Sequence, residues 1–322
     1  MKKLRIGIIG CGWFGNRHLD YLLSRNDVEV AALVSSNAEK LRNTMKKAPQ
    51  AAGFPDYPSM LDQITVDALI LCLPPYCHGS IEEDAAKKGI HLYVEKPLGI
   101  DRGAVMTNEA SIKESGILCA VGYQERYGDG IRHLKEILRH QTPHLIHGTW
   151  IDSMPATPWW KNKALSGGQI VEQSTHIVDL MRYLFGEGSC RAATSSPQKQ
   201  TEGTVEDASI VTLQFRNGVI GTLLTGCFLR PQTVMPSVEL EIFGSDLYAR
   251  FTWGKGILIR HGQEQFEYAM TDSHHDRALD AFIKAVQTGD SSLILSDYSD
   301  AVKTFDLTMQ MEKLLTASKP VL

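Results

Sequence analysis

The stretch that decides the fold is Leu4-Arg5-Ile6-Gly7-Ile8-Ile9-Gly10-Cys11-Gly12-Trp13-Phe14-Gly15, near the amino terminus. Its first half is typical of a short buried strand, and residues 13–24 have the apolar spacing of a helix. The GxGxxG element is weak evidence alone, but its place between strand and helix gives it weight. Gly10 permits a tight turn, Gly12 lets a pyrophosphate approach the backbone, and Gly15 lets the helix pack on the strand. The stretch predicts a phosphate-binding loop, with a ligand-free glycine turn as the alternative.

Short β-rich runs alternate with amphipathic segments through the first 120 residues. We predict strands at 4–9, 28–34, 68–73, 90–94 and 117–121, and helices at 13–24, 37–47, 81–88 and 104–114. Continuous apolar strands that alternate with helices indicate a parallel sheet covered on both faces. Residues 1–120 are therefore predicted to be a dinucleotide-binding Rossmann domain with a doubly wound sheet.

The pattern changes after Gly122. We predict helices at 131–140, 175–185, 276–287 and 297–316, and strands at 145–151, 208–215, 219–226, 238–243, 247–252, 256–260 and 266–270. Asn217-Gly218 is a strong hairpin signal, and consecutive hairpins indicate an antiparallel sheet. The fold class is thus α/β, with residues 121–322 as a C-terminal α+β domain that contains a large open antiparallel sheet. The family resemblance described below implies that this domain binds substrate and mediates oligomerisation, and its last helix is a candidate to pack back on the first domain.

Composition excludes several classes of protein. The 322 residues favour two domains, and 33 basic and 37 acidic residues are mixed along the chain, which argues against a nucleic-acid surface. The apolar run near the amino terminus is too short for a secretory signal, and no later run approaches the roughly 18 apolar residues of a membrane span. The six cysteines show no CxxC spacing, as expected of reduced thiols. These features predict a cytoplasmic protein that does not bind a membrane.

The position that selects between NAD and NADP follows the second strand. An acidic residue about 20 positions past the glycine loop would receive the ribose hydroxyls of NAD. Counting from Gly15 reaches Ser35, and no acid stands there. Ser35, Ser36 and Lys40 are suited to a 2′-phosphate, so NADP(H) is favoured and NAD(H) remains an option. Alternatively, Ser36 and the following Asn37 only cap the second helix.

Lys96 follows the fourth predicted strand, in the run Glu95-Lys96-Pro97-Leu98. Doubly wound sheets place ligands at the carboxyl ends of their strands. The ordinary pKa of a lysine is about 10.4, and the positive charge of an oxidised nicotinamide would lower it. Lys96 is therefore a candidate to share the proton of a substrate hydroxyl. The alternative is a surface lysine.

The second candidate is His176, which lies one predicted helical turn after Glu172. A histidine oriented or charged by a carboxylate is suited to acid–base catalysis near neutral pH. The alternative is a core histidine that is satisfied by Glu172 or by a backbone carbonyl. No spacing typical of zinc ligands accompanies it, so no metal site is expected.

With these motifs in order, the chain resembles the glucose–fructose oxidoreductase, inositol dehydrogenase and MocA family (GFO/IDH/MocA) along essentially its whole length. The motifs that carry the resemblance are Gly10-Cys11-Gly12, Leu73-Pro74-Pro75 with His78, Glu95-Lys96-Pro97-Leu98, Gly122-Tyr123-Gln124-Glu125-Arg126-Tyr127, and the run from Gly167-Gly168 to His176 and Asp179. The spacing of about 75 residues between the Glu-Lys-Pro element and the Gly-Gly-to-His segment is distinctive.

The resemblance implies roles for single residues. Lys96 matches the lysine that contacts the substrate hydroxyl, and His176 matches the catalytic acid/base, in a cleft between the two domains. Glu172 stands where many members have Asp, and Gln124 stands where an Asn is common near the nicotinamide. Trp159 or Trp160 occupies a loop that often lies over the cofactor. The residues expected to bind the cofactor are Gly10, Cys11, Gly12, Trp13, Phe14, Gly15, Ser35, Ser36, Lys40, Leu73, Pro74, Pro75, His78, Glu95, Lys96, Gln124 and Trp160.

The expected activity is therefore that of an NAD(P)-dependent oxidoreductase, with Lys96, His176 and Glu172 as the catalytic residues. It would move a hydride between the nicotinamide and a carbinol carbon of a sugar or polyol. Two other functions remain open: a cofactor-binding sensor or regulator without turnover, and an NAD-dependent glycoside hydrolase. The expected partners are a small sugar or polyol and further copies of the chain, as a homodimer or homotetramer.

Overall fold

The computed structural model describes residues 3–196, 198, 203–232, 234–270 and 273–317. Their contacts form two compact units. The first contains the chain up to Tyr123 together with His275–Val302, and the second contains Gln124–His274 together with the chain from Lys303. The chain thus enters the first unit twice, whereas the sequence predicted a division at residue 120 with only the last helix as a candidate to return.

The first unit is built on a sheet of six strands in the order β3-β2-β1-β4-β5-β6. The strands are β1 (Leu4–Ile9), β2 (Val28–Val34), β3 (Ala52–Phe54), β4 (Ala68–Leu71), β5 (His91–Val94) and β6 (Cys119–Val121). The helices between them are α1 (Trp13–Leu23), α2 (Ala38–Met45), α3 (Tyr57–Gln63), α4 (Ile81–Lys87) and α5 (Arg102–Ser115). Every pair of neighbouring strands is parallel, which confirms the doubly wound sheet. The strand order reverses between β1 and β4, where such sheets bind ligands.

The sequence analysis missed β3 and α3. β3 has only three residues and contains Gly53, so it shows neither the length nor the periodicity of a strand. The start of α3 did carry signals, because the side chain of Asp56 accepts a hydrogen bond from the N–H of Ser59 and Pro58 lies in the first turn. The short run that follows was too brief to be recognised as a helix.

The second unit is built on a sheet of eight strands in the order β14-β13-β12-β11-β7-β10-β9-β8. Its strands are β7 (Leu145–Ile151), β8 (Gly188–Ser195), β9 (Ala208–Phe215), β10 (Ile220–Gly226), β11 (Ser237–Phe243), β12 (Leu247–Thr252), β13 (Gly256–His261) and β14 (Glu264–Ala269). Two helices pack on this sheet, α6 (Asp129–Leu138) and α8 (Thr175–Phe185). The short helix α7 (Lys163–Ser166) precedes α8, and α9 (His274–Thr288) and α10 (Tyr298–Ala317) complete the helices. The predicted largely antiparallel sheet is confirmed, and β7 and β10 form its parallel pair. β8 was not predicted.

α8 packs closely on the centre of this sheet. Gly148 on β7 makes this approach possible, because a Cβ atom there would lie 2.5 Å from Met181 Cε and 2.7 Å from Ile177 Cγ2. The apolar face of α8 is buried against alternate residues of the strands, as the hydrophobic core of the unit requires. Among the residues that the structure describes, no helix is both long and apolar enough to cross a membrane.

A buried ion pair fixes α8 to the turn that precedes α6. Arg126 Nε donates to Asp179 Oδ2 at 2.8 Å, and a second guanidinium nitrogen lies 2.5 Å from Oδ1. The hydroxyl of Thr304 on α10 also donates to Asp179 Oδ1, at 2.9 Å. Both charged side chains are almost completely buried. A bidentate pair of this kind is geometrically specific, and breaking it leaves a charge without compensation.

Replacing Asp179 by Ala should therefore lower the free energy of unfolding by about 3–5 kcal/mol, because the Arg126 guanidinium would stay buried without its partner. The exposed pair of Asp129 and Arg132 on α6 offers a control: Asp129→Asn should cost less than about 1 kcal/mol. Urea denaturation of both variants measures the difference. Equal midpoints for the two variants would show that the buried pair does not stabilise the second unit.

Candidate active site

The glycine loop joins β1 to α1 by close backbone contact. Gly10 has a φ of 108°, in the region that favours glycine, and a Cβ atom there would overlap the carbonyl of Cys72. A Cβ atom at Gly15 would overlap the carbonyl oxygen of Gly10. Gly12 is different, since a Cβ atom there would meet no described atom within 4 Å. The loop therefore presents an open backbone surface at Gly12 between two tightly packed glycines.

The amino end of α1 suits an anionic ligand. Gly12 is the N-cap residue and supplies no side-chain hydrogen bond to the first turn. The side chain of Asn16 donates to the carbonyl oxygens of Cys11 and Gly12, at 3.2 and 3.0 Å, which holds the loop in shape. Backbone N–H groups at a helix start, together with the helix dipole, attract phosphate. These residues fit the pyrophosphate of a dinucleotide cofactor.

The other predicted residues of the loop take different positions. The Cys11 thiol is buried, which raises its pKa, and it points to the carbonyl of Val34 at 3.6 Å. Trp13 is 73% exposed. The ring centroid of Phe14 lies 4.7 Å from that of Trp13 and 5.6 Å from that of His275. The exposed indole is thus the side chain of this loop most accessible to a ligand.

The sequence left two interpretations of the end of β2, a binding site for a 2′-phosphate and a helix cap, and the structure contains features of both. The side chain of Asn37 accepts a hydrogen bond from Lys40 N at 2.9 Å, so Asn37 caps α2. Ser35 Oγ accepts from Asn37 N at 3.3 Å. Ser36 and Lys40 have exposed side chains. The cap of α2 therefore leaves the Ser36 hydroxyl and the Lys40 ammonium group accessible at the end of β2, where the cofactor ribose is expected.

The segment after β4 turns sharply. Leu73-Pro74-Pro75 leads into a single 3₁₀ turn at Pro75–Cys77. His78 Nδ1 lies 2.7 Å from Glu82 Oε1, and both side chains are buried. This contact gives the predicted cofactor residue His78 a structural partner on α4 and shows that the segment is anchored in the unit's interior.

Lys96 follows a buried carboxylate at the end of β5. Glu95 Oε1 lies 2.7 Å from His18 Nε2 on α1, and a Cβ atom at Gly122 would lie 2.7 Å from Glu95 Oε2. Burial raises the pKa of Glu95, but the hydrogen bond from His18 and the charges of His275 and Lys96 outweigh it and leave that pKa below its ordinary value. The backbone beside Lys96 is therefore held by an ionised, buried side chain. The sequence analysis missed His18, for which its place on the buried face of α1 was the available signal.

His275 lies in the same region of the first unit. Burial is the main cause that lowers its pKa, to about 4. Its neighbour His274 pairs instead with Glu125 of the second unit, Nδ1 to Oε2, at 2.8 Å. The helix that the sequence predicts at 276–287 begins within the run His274-His275-Asp276. The start of α9 lies there, but its two histidines are packed against other side chains rather than presented to solvent.

The segment that leads to His176 is not a regular α-helix. Residues Ile170–Ser174 form one π-helical turn, after which α8 begins at Thr175. Glu172 lies in this turn, and its Oε2 accepts a hydrogen bond from Trp160 Nε1 at 2.6 Å. The π turn changes the spacing that places Glu172 one α-helical turn before His176. Such turns are frequent at functional sites.

Two indole rings enclose the imidazole of His176. The Trp150 ring is stacked on it, with centroids 5.5 Å apart and planes at 17°, and the Trp253 ring is tilted against it at 4.9 Å. Strand pairing brings the two indoles together, because Val238 on β11 pairs with Trp150 and accepts a hydrogen bond from Trp253 N at 2.9 Å. The sequence analysis missed Trp253, which has no local signal that links it to His176. The two rings fix the plane of the imidazole.

Gln124 is almost completely buried. Neither amide atom of its side chain has a hydrogen-bond partner among the described residues. Buried amides of this kind are nearly always paired with protein, water or a ligand. The residue fits the role of a cofactor contact, as the resemblance implied.

The two adjacent glycines at 167 and 168 lie beside a cluster of buried charges. Lys163 Nζ contacts Glu206 Oε2 at 2.8 Å and Glu312 Oε2 at 2.6 Å. Burial and the charge of Glu206 raise the pKa of Glu312 to about 7. Gly168 has a φ of 91°, and a Cβ atom there would lie 3.2 Å from Glu312 Oε1. The second glycine therefore allows the chain to turn closely past this cluster before the π turn.

Metal ions in proteins are held by sets of His, Cys, Asp and Glu side chains. Within the described parts of the chain, no group of three or more His, Cys, Asp or Glu side chains is placed to hold a metal ion.

A loop for a dinucleotide, a lysine at the carboxyl edge of the parallel sheet and an enclosed histidine define a class, the nicotinamide-dependent oxidoreductases. Residues 4–123 match the oxidoreductase family with an NAD-binding Rossmann fold, and residues 131–250 match the GFO/IDH/MocA C-terminal domain. The chain belongs to the GFO/IDH/MocA family, and the resemblance seen in its motifs is confirmed. It is an NAD-binding oxidoreductase.

Several known proteins are similar over most of their length. Myo-inositol 2-dehydrogenase from Thermotoga maritima is 25% identical over 282 residues, which cover 85% of this chain and 80% of that protein. D-glucoside 3-dehydrogenase from Escherichia coli is 25% identical over 317 residues, with coverage of 89% and 88%. The solved structure of the WlbA dehydrogenase from Bordetella pertussis, in complex with NADH and UDP-GlcNAcA, shares the fold at a TM-score of 0.85 and 20% identity, and covers 99% of this chain and 98% of that one.

Gly12 and Gly15 should respond differently to an added methyl group. Gly15→Ala should lower the free energy of unfolding by about 1–3 kcal/mol, because the new Cβ atom forces α1 away from β1. Gly12→Ala should change stability by less than about 0.5 kcal/mol but weaken cofactor binding, because the methyl group lies where the pyrophosphate approaches. Thermal unfolding and a fluorescence titration with cofactor measure the two effects. Wild-type cofactor affinity in Gly12→Ala would contradict this placement of the phosphates.

Proposed function

We propose that the protein oxidises or reduces a carbinol carbon of a sugar or polyol with a nicotinamide cofactor. The observation that carries the proposal is the position of Lys96, which follows β5 at the carboxyl edge of the sheet whose first strand leads into the Gly10–Gly15 loop. The names of the relatives, an inositol dehydrogenase and a glucoside dehydrogenase, support this substrate class. When bound, the nicotinamide supplies the hydride acceptor or donor.

The chain's own residues handle the hydroxyl proton. Lys96 hydrogen-bonds the reacting oxygen and stabilises the charge that develops on it. His176 takes the hydroxyl proton during oxidation and returns it during reduction, with its ring plane held between Trp150 and Trp253. Glu172, held by the indole of Trp160, positions the turn that precedes α8. Gln124 contributes its unpaired amide to the nicotinamide end of the cofactor.

The preferred cofactor is NADP(H). Ser36 and Lys40 are exposed at the end of β2, and Asn37 rather than a carboxylate caps the helix there. A carboxylate at that place would bind the free ribose hydroxyls of NAD and repel the 2′-phosphate of NADP. The ammonium of Lys40 attracts that phosphate instead.

The same chain is also proposed to form a homodimer or homotetramer. The sheet of the second unit turns apolar side chains outward, and Leu145, Ile210 and Ile220 are 40–51% exposed. The same face of a second copy would shield these three side chains from water. Exposed apolar patches commonly mark such protein–protein interfaces.

The roles proposed for His176 and Lys96 predict that their replacement lowers turnover but leaves cofactor binding intact. Once a screen of inositols, aldoses and sugar acids has identified a substrate, His176→Asn should lower kcat by about 10²–10⁴ and leave the cofactor Kd nearly unchanged. His140→Asn, on an exposed histidine after α6, is the matched control. Lys96→Met should lower kcat in the same way. A wild-type kcat in His176→Asn would remove this residue from the mechanism.

The cofactor proposal predicts a selective effect at α2. Lys40→Glu should lower kcat/KM with NADP by about 10–100-fold, since it replaces a charge-assisted contact by repulsion, and should leave kcat/KM with NAD much less affected. Lys46→Glu, at the exposed carboxyl end of α2, is the control. A wild-type enzyme that turns over far better with NAD than with NADP would contradict the preference.

A further inference from the structure

We propose that His275 completes the cofactor site of the first unit, where its imidazole is a hydrogen-bond partner of the ribose that carries the nicotinamide. The residue belongs to α9, in the part of the chain that returns to the first unit after the second. The inference rests on the position proposed above for the nicotinamide, beside Lys96. It does not depend on which sugar or polyol is the substrate.

Two hydrogen bonds place α9 beside α1. Arg17 donates to Asp276 Oδ1 at 3.2 Å, and the hydroxyl of Tyr21 donates to Asp280 Oδ1 at 2.7 Å. The two donors are one turn apart on α1, and their two acceptors are one turn apart on α9, so the helices run side by side in the same direction. Their amino ends therefore lie next to each other, at the end of α1 that suits the pyrophosphate.

His275 stands at this shared end of the two helices. Its ring centroid lies 5.6 Å from that of Phe14, the second residue of α1, with the planes at 42°. The charges of Glu95 and Lys96 also act on the imidazole, so the ring is close to the carboxyl end of β5 as well. A dinucleotide with its pyrophosphate at α1 and its nicotinamide beside Lys96 must bring the ribose that joins them past this place.

The imidazole of His275 is only partly buried and is suited to a neutral hydrogen-bond partner. Among the described residues, neither of its ring nitrogens has a hydrogen-bond partner. Its pKa is about 4, mainly because burial disfavours the charged ring, so the ring is neutral at pH 7. A neutral imidazole has one donor and one acceptor nitrogen, and a ribose hydroxyl likewise donates and accepts. A phosphate oxygen only accepts and would favour a charged ring instead.

The neighbouring histidines already have protein partners. His18 Nε2 lies 2.7 Å from Glu95 Oε1, and both side chains are almost completely buried. His274 Nδ1 lies 2.8 Å from Glu125 Oε2. Both of these imidazoles are therefore used within the protein, whereas the hydrogen-bonding capacity of His275 is left for a ligand.

The test measures the binding of three ligands to the full-length protein by titration calorimetry. NAD and ADP-ribose both contain the ribose in question, whereas ADP has the pyrophosphate without that ribose. His275→Phe keeps a ring against Phe14 and removes both nitrogens, so the Kd of NAD and of ADP-ribose should weaken about 5–10-fold while that of ADP stays unchanged. His275→Gln, which retains a donor and an acceptor, should recover most of the loss. His140→Phe, on an exposed histidine after α6, is the control and should keep all three wild-type values.

A spectroscopic measurement on the wild-type protein tests the same contact without a substitution in the site. The NMR signal of the His275 ring, assigned by its loss in His275→Gln, should shift when ADP-ribose is added and stay in place when ADP is added. A wild-type Kd for NAD in His275→Phe, or an equal loss of affinity for ADP and ADP-ribose, overturns the contact with the ribose. Neither measurement involves a sugar substrate, so such a result would leave the proposed oxidation of a carbinol carbon to its own test with His176→Asn.

Discussion

The first unit depends on the contact between the start of α1 and the end of β1, where no side chain fits between two backbones. Gly15 is packed against the carbonyl of Gly10, and Gly10 is packed against that of Cys72. This contact brings α1 close enough for His18 to reach Glu95 at the end of β5. A single steric constraint thus shapes the phosphate-binding loop and also holds the ionised carboxylate that precedes Lys96.

In the second unit, too, a glycine allows a helix to pack closely, in this case α8 on strand β7. The absence of a side chain at Gly148 lets α8 lie directly on the sheet, so that His176 enters the space between two indoles. Rings on both sides restrict the imidazole to one plane, as the proton transfer proposed for His176 requires. The buried Arg126–Asp179 pair then fixes the direction of the helix. The position of the His176 ring is therefore set by packing within the second unit.

The local elements could be predicted from the sequence because their signals are local. The strand, glycine loop and helix at the amino terminus follow one another within 20 residues, and the strands of both sheets show their apolar patterns. Contacts between distant residues have no such signal. Trp253 lies 77 positions from His176, so its placement depends on strand order. The π turn at 170–174 was likewise hidden, since its composition is that of an ordinary helix.

The most direct test of the account follows the hydrogen on the reacting carbon. A substrate found by cofactor-reduction screening is deuterated at its carbinol carbon and incubated with the oxidised nicotinamide cofactor, and the reduced product is analysed by NMR. The account predicts deuterium at C4 of the nicotinamide, on one face only, because hydride moves directly between two fixed carbons. Loss of the deuterium to water, with protium at C4, would contradict direct transfer and with it the central claim.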